Sequence, residues 1–332
     1  MAIATKLMPR ALVMTALCAV VAAFIGTPQA VAQSPSKTAI TVGIPAFYEG
    51  FLPLYTAEKK QFFEDEGLAV NILTFQGGGA AGQAFVAGGI EMCLCSFDHV
   101  LKLQSRGFDA VAIGGIEEFN AYALISKKGR IADGLKGLRG KKIGITSPGS
   151  STDITVRYEL KKAGIDIRDV SLVSIGNAAA MKAALEQGEL DAGMVIGGIL
   201  VDMLNNPNWQ IIVDFRTQRY PLEVVIARRS WLKDHAPTAR KFLKAIVRAE
   251  ELLQKDPSVA YEMTQAMFPK MDPKTLKGVG EAGVRRLSTN GSIDEQGVAA
   301  ITDQQIFAGA IKSSIPYKSL VDLSYLPSGT AR

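Results

Sequence analysis

The sequence predicts an α/β protein in two lobes, on three observations. Short apolar runs of strand length alternate with helix-length amphipathic stretches from residue 39 to residue 214. After Pro221 one more strand-like run follows, and the chain then becomes largely helical. Two strand-like segments, at about 121–127 and 221–227, would carry the chain out of one α/β unit and back into it. An alternating order of this kind implies parallel sheets covered by helices.

Taken in order, a strand over 39–44 is followed by a helix over 53–67 that stops at Gly67, a strand over 69–75, a helix over 79–87 and a strand over 90–95. A helix over 98–106 and strands over 110–114 and 121–126 lead into a charged, glycine-rich connector, 131–140. The second unit repeats the theme with strands over 142–145, 171–175, 192–195 and 210–214 and helices over 153–163, 178–187 and 199–204. Beyond a strand over 222–227, helices are expected over 230–235, 237–255, 257–268, 272–287 and 294–310, with an irregular tail from Ser313, where Pro316 and Pro327 break the pattern.

Residues 1–32 read as a secretory leader. Lys6 and Arg10 precede an apolar run over 11–25, and Ala30-Val31-Ala32 offers the small residues of a cleavage site. The run is shorter than the ~20 residues a membrane span needs, so an exported product is expected, located in the periplasm. Lysines and acids are interspersed along a chain of net charge +5, which excludes the basic stripe of a nucleic-acid face. After the leader only Cys93 and Cys95 remain, at i and i+2 of one strand, facing one side but too far apart for an unstrained bridge, so no disulfide is expected. With two histidines and no spaced His/Asp/Glu set, neither a metal centre nor a catalytic triad has material.

The turns after the strands carry the polar and glycine residues. Thr146-Ser147-Pro148-Gly149-Ser150-Ser151-Thr152 opens a helix whose first N–H groups lack intrahelical partners. One of Ser150, Ser151 and Thr152 caps that helix, and the surplus hydroxyls suit a ligand's acceptor atoms. It lacks the GxxxxGK[ST] pattern of a nucleotide phosphate loop. Gly77-Gly78-Gly79 lets backbone approach a ligand or is simply a flexible loop. Ser96-Phe97-Asp98 offers a hydroxyl, a ring and an acid, or a cap. Phe47 and Tyr48 either line a pocket or form a local apolar cluster, and Asn177 caps a helix or turns its amide to the cleft.

Val42-Gly43-Ile44-Pro45, the run Ala57-Glu58-Lys59-Lys60-Gln61-Phe62-Phe63-Glu64-Asp65-Glu66-Gly67-Leu68, Leu138-Arg139-Gly140-Lys141-Lys142-Ile143-Gly144, and Ala184-Leu185-Glu186-Gln187-Gly188-Glu189-Leu190-Asp191-Ala192 occur in that order. Through them, residues 37 to about 310 resemble the nitrate/sulfonate/taurine branch of ABC-transporter substrate-binding proteins, which shares its fold with thiamine-pyrimidine-precursor-binding proteins. The resemblance implies a type II periplasmic binding protein fold, two α/β lobes joined by two crossover strands with a ligand cleft between. Lobe one would be 37–121 with 222–310, lobe two 122–221, and 311–332 a tail. It implies a non-enzymatic receptor, monomeric and without cofactor, that delivers a small organic solute, either anionic and sulfonate-like or aromatic, to a permease and its ATPase. The ligand contacts it implies are Tyr48, Gly78, Gly79, Ser96, Ser150, Ser151, Thr152 and Asn177, with Phe47 and Phe97 sheltering an organic body. Some proteins of this fold are enzymes, including cysteine-dependent desulfinases, for which Cys93 or Cys95 with His99 would be the candidates.

Overall fold

The computed structural model describes residues 37–328; the expected leader lies outside them. In chain order the strands are β1 (Thr38–Ile44), β2 (Leu68–Thr74), β3 (Met92–Cys95), β4 (Ala110–Phe119), β5 (Tyr122–Lys127), β6 (Lys142–Ile145), β7 (Ser171–Ser174), β8 (Ala192–Ile196), β9 (Trp209–Asp214) and β10 (Arg219–Arg228). They form two five-stranded sheets, ordered β2-β1-β3-β10-β4 and β7-β6-β8-β5-β9.

Both sheets are mixed, which corrects the expectation of purely parallel ones. β1 runs parallel to β2 and β3, while β10 is antiparallel to β3 and β4. β6 runs parallel to β7 and β8, while β5 is antiparallel to β8 and β9. The cause is the way the chain changes lobe. It crosses at 120–121 and returns at 215–218, with no helix between, so β5 and β10 each enter their sheet from the interface and run away from it. The strands antiparallel to them therefore end at the interface, and the turns after β3 and β8, with those after their parallel neighbours, face each other. The two crossings are pinned together: Asn120 N–H donates to Gln218 O at 3.0 Å, and Phe215 N–H to Tyr122 O at 3.2 Å.

The helices are α1 (Leu52–Lys59), α2 (Phe62–Asp65), α3 (Gly78–Val86), α4 (Asp98–Ser105), α5 (Ser151–Lys162), α6 (Ala178–Gln187), α7 (Gly197–Leu204), α8 (Arg229–Lys255), α9 (Pro257–Met267), α10 (Pro273–Arg286), α11 (Glu295–Phe307) and α12 (Tyr317–Leu320). The helix expected over 53–67 breaks at Gln61, whose φ of 61° is left-handed. The two helices expected around Pro237 join instead as α8, kinked at His235, because proline cannot donate to the preceding turn and crowds it. Helices α9, α10 and α11 are capped by aspartates before proline or an acidic first turn: Asp256, Asp272 and Asp294 each accept from backbone N–H groups of the helix they open.

Val42, Leu94, Ile113 and Val225 are fully buried in the first lobe, and Ile143, Leu185 and Val195 in the second. Each such side chain contributes about 1.5–3 kcal/mol of burial free energy. The tail is less irregular than expected. Leu320 is fully buried, Val321 bridges Ala112 in parallel, and Tyr317 Oη donates to Ile293 O at 2.7 Å. This apolar segment covers the β4 edge of the first sheet, which would otherwise offer unpaired backbone groups.

The cysteine expectation is also corrected: Cys93 and Cys95 are joined as a disulfide. Their Cα atoms are 5.4 Å apart, inside the range a bridge spans, because the strand is locally contracted below its ideal two-residue rise. Both residues are buried.

Candidate functional site

Between the lobes, where the strand-end turns face each other, lies a cavity of about 380 Å³. That is within the size range of small-molecule pockets. The turn after β1 brings Phe47 and Tyr48 to it, the turn after β2 brings Gln76 and Gly78, and Ser96 and His99 come from the start of α4. From the second lobe come Thr146, Ser150 and Ser151 before and within α5, Asn177 before α6, and Ile196 before α7. Tyr122, Leu222 and Glu223 line it from the crossing strands, and Phe268 from the end of α9.

Of the ten residues singled out from sequence, seven line the cavity: Phe47, Tyr48, Gly78, Ser96, Ser150, Ser151 and Asn177. Phe47 is about half exposed and meets Tyr55 and Phe268 edge-on, at 5.3 and 5.6 Å between ring centres. The other three sit differently. Phe97 is fully buried in the core of the first lobe. Gly79 faces the opposing turn, where an added Cβ would lie 3.3 Å from Ser147 Oγ. Thr152 is turned into its own loop, its Oγ1 accepting from Thr146 N–H at 3.0 Å and meeting Ser150 Oγ at 2.8 Å.

The hydroxyl surplus of this turn is thus largely spent inside it. Thr146 Oγ1 lies 2.9 Å from both Ser150 Oγ and Thr152 Oγ1, so the three hydroxyls close a triangle. Ser150 is the helix cap, accepting from Asp153 N–H at 3.3 Å. Ser151 is the one whose hydroxyl reaches the other lobe, donating to Asp98 Oδ1 at 3.0 Å. Asn177 serves both readings at once: its Oδ1 caps α6 through Ala180 N–H at 3.0 Å while its amide turns to Gln76 Oε1 across the cleft at 3.5 Å.

Asp98 is completely buried and pairs with Lys102, one helical turn on, at 2.5 Å. Burial alone would raise its pKa, but the Lys102 ammonium, and after it His99, outweigh burial and hold the carboxyl at about 2. Lys102 Nζ also donates to Gly149 O of the opposing turn at 2.5 Å. His99 is pushed down to about 4, first by burial and then by Lys102, against the pull of Asp98, so the ring is neutral at physiological pH. Gly78 is a close approach: a Cβ there would collide with the His99 ring.

A second buried charge cluster lies behind Tyr48. Arg286 donates to Glu117 Oε1 at 2.9 Å and to Glu49 Oε1 at 2.8 Å. Glu49 Oε2 accepts from Gly198 N–H at 3.2 Å, at the start of α7 in the other lobe. Gly197 has a φ of 68°, and a Cβ on it would come within 2.5 Å of that carboxylate oxygen, so glycine is needed both for the backbone and for the contact. Tyr48 Oη reaches Glu117 Oε2 and, at 3.1 Å, Glu223 Oε1. A phenol has one proton and cannot donate to both carboxyls. Burial, reinforced by Glu117, raises the Glu223 pKa well above its ordinary value, so Glu223 carries the proton that satisfies the second contact. Burial likewise raises Glu117, with Arg286 and the Tyr48 hydrogen bond opposing.

Sequence reasoning missed this cluster. Its hydrogen bonds join residues 69, 169, 175 and 237 positions apart, so no local motif carries it. The available signal was an acid inside an apolar strand, at Glu117 after Ile116 and at Glu223 within Leu222-Glu223-Val224-Val225. Among the described residues, no group of three His, Cys, Asp or Glu side chains could hold a metal ion.

The model of the NMT1/THI5-like family matches residues 49–260. The chain belongs to the NMT1/THI5-like family. The matched stretch holds most of the cavity wall, from the turn after β2 to Glu223. The chain is 26% identical over 239 residues to a 4-amino-5-hydroxymethyl-2-methylpyrimidine phosphate synthase of Aspergillus parasiticus, covering 66% of this chain and 67% of that protein. A solved structure from Bordetella bronchiseptica RB50 is 29% identical with a TM-score of 0.78, covering 88% of this chain and 97% of that one. The periplasmic aliphatic sulphonate binding protein SsuA of Escherichia coli is 15% identical with a TM-score of 0.67, covering 86% of this chain and 98% of that one. The fold of this NMT1/THI5-like protein is therefore that of the periplasmic binding proteins.

Proposed function

We propose that this chain is an extracytoplasmic solute-binding receptor that captures a small organic ligand between its lobes and delivers it to the permease and ATPase of an ABC importer. The observation that carries this reading is the interlobe cavity closed by bonds across it, Ser151 to Asp98, Lys102 to Gly149 O and Gly198 N–H to Glu49. Contacts of this kind exist only when the lobes are together, and a ligand that binds the closed state better shifts the population toward it. In this reading 37–121 with 222–310 form lobe one, 122–221 lobe two and 311–332 the tail, while 1–32 is the leader that exports the protein to the periplasm as a monomer. Phe47, Tyr48, Gly78, Ser96, Ser150, Ser151 and Asn177 are the contacts.

The test is a thermal-shift screen of the purified protein against small organic acids, amines and heterocycles, followed by small-angle scattering with each ligand that raises the melting temperature. A ligand that binds without lobe closure, or failure of the whole screen, would remove the reading. A second reading, an enzyme, is favoured by the synthase name of the Aspergillus relative. It would be supported by a new product mass after incubation with a bound ligand. Its cysteine-dependent form has no free thiol to use among the described residues, since Cys93 and Cys95 are bonded to each other.

A further inference from the structure

The polar lining of the cavity is one-sided in charge. Among the described residues, no arginine or lysine lines it. Two buried cations bonded to its neighbours are already committed: Arg286 to Glu49 and Glu117, and Lys102 to Asp98 and Gly149 O. Against these two bases stand four buried acids, Glu49, Asp98, Glu117 and Glu223. Glu223 is the one acid of the four that lines the cavity. It is 3% exposed; its Oε1 is shared with Tyr48, and its Oε2 has no hydrogen-bond partner among the described residues. A buried carboxyl oxygen without a partner is costly, and native structures leave few of them.

From this we infer that Glu223 anchors the ligand and selects its class, and that the solute presents an N–H donor head of ammonium, amidinium or guanidinium type to Glu223 Oε2. The proposal rests on the receptor reading given above and narrows it. A simple oxyanion, with acceptors only, would leave Oε2 without a donor, because Tyr48 engages the carboxyl's proton, and would find no cation in the lining, whereas a donor head completes the carboxyl. Acceptor atoms elsewhere on the solute are left to the starts of α5 and α6, where Ser151 and Asn177 stand. The rings of Phe47, Phe75, Tyr122 and Phe268 also line the space and favour an apolar or cationic body. Because Glu223 faces Glu117 on β4, Tyr48 after β1, Tyr122 on β5 and Asp98 on α4, none of them cationic, a cation that pairs with its ionised form must expel its proton.

Calorimetry on the purified protein with four probes tests this: benzamidinium and 4-guanidinobutanoate as donor heads, benzenesulfonate and butanesulfonate as oxyanion heads on comparable bodies. At least one donor probe is expected to bind and both sulfonates to fail. Binding should release a proton, read as a difference in heat between two buffers of unequal ionisation enthalpy. Glu223→Gln should weaken the donor probe by about 10-fold or more. Glu223→Asp, which keeps the charge but withdraws it, should weaken it less, and it replaces the glutamine variant if that one does not fold. Sulfonate binding with lobe closure would overturn the donor-head assignment while leaving the receptor reading standing. Failure of both donor probes, or equal donor affinity in Glu223→Gln, would overturn it as well.

Discussion

Lys102→Met isolates the ion pair that ties the first lobe to the turn before α5. Asp98 is fully buried, and its carboxyl is held at about 2 against an ordinary 3.8. At about 1.4 kcal/mol per pKa unit, that depression corresponds to about 2.5 kcal/mol of stability. The sign follows from the direction. A depressed carboxyl contributes stability above its unfolded pKa and loses it as pH falls through the folded one, so the contribution is present at neutral pH and disappears toward pH 2. Burial opposes the depression, so the gross effect of the ammonium is larger than the net, and removing it from a buried partner costs about 3–5 kcal/mol. Lys102→Met should therefore lose about 3–5 kcal/mol at neutral pH by urea denaturation, and less in mild acid, where the stranded Asp98 takes up a proton instead. Adding Asp98→Asn should recover most of the loss, because removing both charges leaves nothing uncompensated; the double-mutant cycle then reads the coupling directly. A loss below about 1 kcal/mol at neutral pH, or additive single effects, would refute the assignment of Lys102 as the group that makes burial of Asp98 tolerable.

Glu223 gives the opposite pH signature. Its pKa is raised by burial and then by Glu117, so the fold favours its protonated form, and stability present below the unfolded pKa is lost as pH rises through the folded one. Glu223→Gln should hence gain on the parent protein in melting temperature as pH climbs from mildly acidic to neutral and above, and parallel melting curves across that range would count against a protonated Glu223. Thr152→Ala leaves the half-buried Thr146 N–H without its acceptor and should cost about 0.5–1.5 kcal/mol, with ligand affinity measured on the folded fraction little changed. Ser151→Ala should do the reverse, changing global stability by less and lobe closure by more, as scattering with bound ligand would report. Gly197→Ala combines a left-handed backbone with a clash against Glu49 and should destabilise by about 1–3 kcal/mol or more; a melting temperature equal to the parent's would mean that the Glu49 to Gly198 contact is dispensable.

The order of elements was legible because it is written locally. The alternation of strand-length apolar runs with amphipathic stretches, the breaks at Gly67, Pro316 and Pro327, and the polar turns after strands are each set within a few residues. What was not legible depends on where distant segments meet. The antiparallel entry of β5 and β10 follows from the chain crossing between lobes without a helix, and strand direction leaves no trace in an apolar run that is buried on both faces. The site divides the same way. Phe47, Tyr48, Ser96, Ser151 and Asn177 are turn residues, visible as polar or aromatic breaks after apolar runs, and they converge because parallel strands ending at one interface must deliver their turns to one place. Thr152 and Phe97 share those turns and differ only in rotation about the backbone, which composition does not encode: one faces its own loop and the other the core. The acids Glu117 and Glu223 sit in strands, where an apolar neighbourhood reads as core and a charge reads as an anomaly. A carboxyl in such a strand must find a partner or stay protonated. Glu117 finds Arg286, while Glu223, in the cavity wall, keeps its proton and leaves one buried oxygen without a partner, so the residue hardest to place from the sequence is the one on which the donor-head proposal rests.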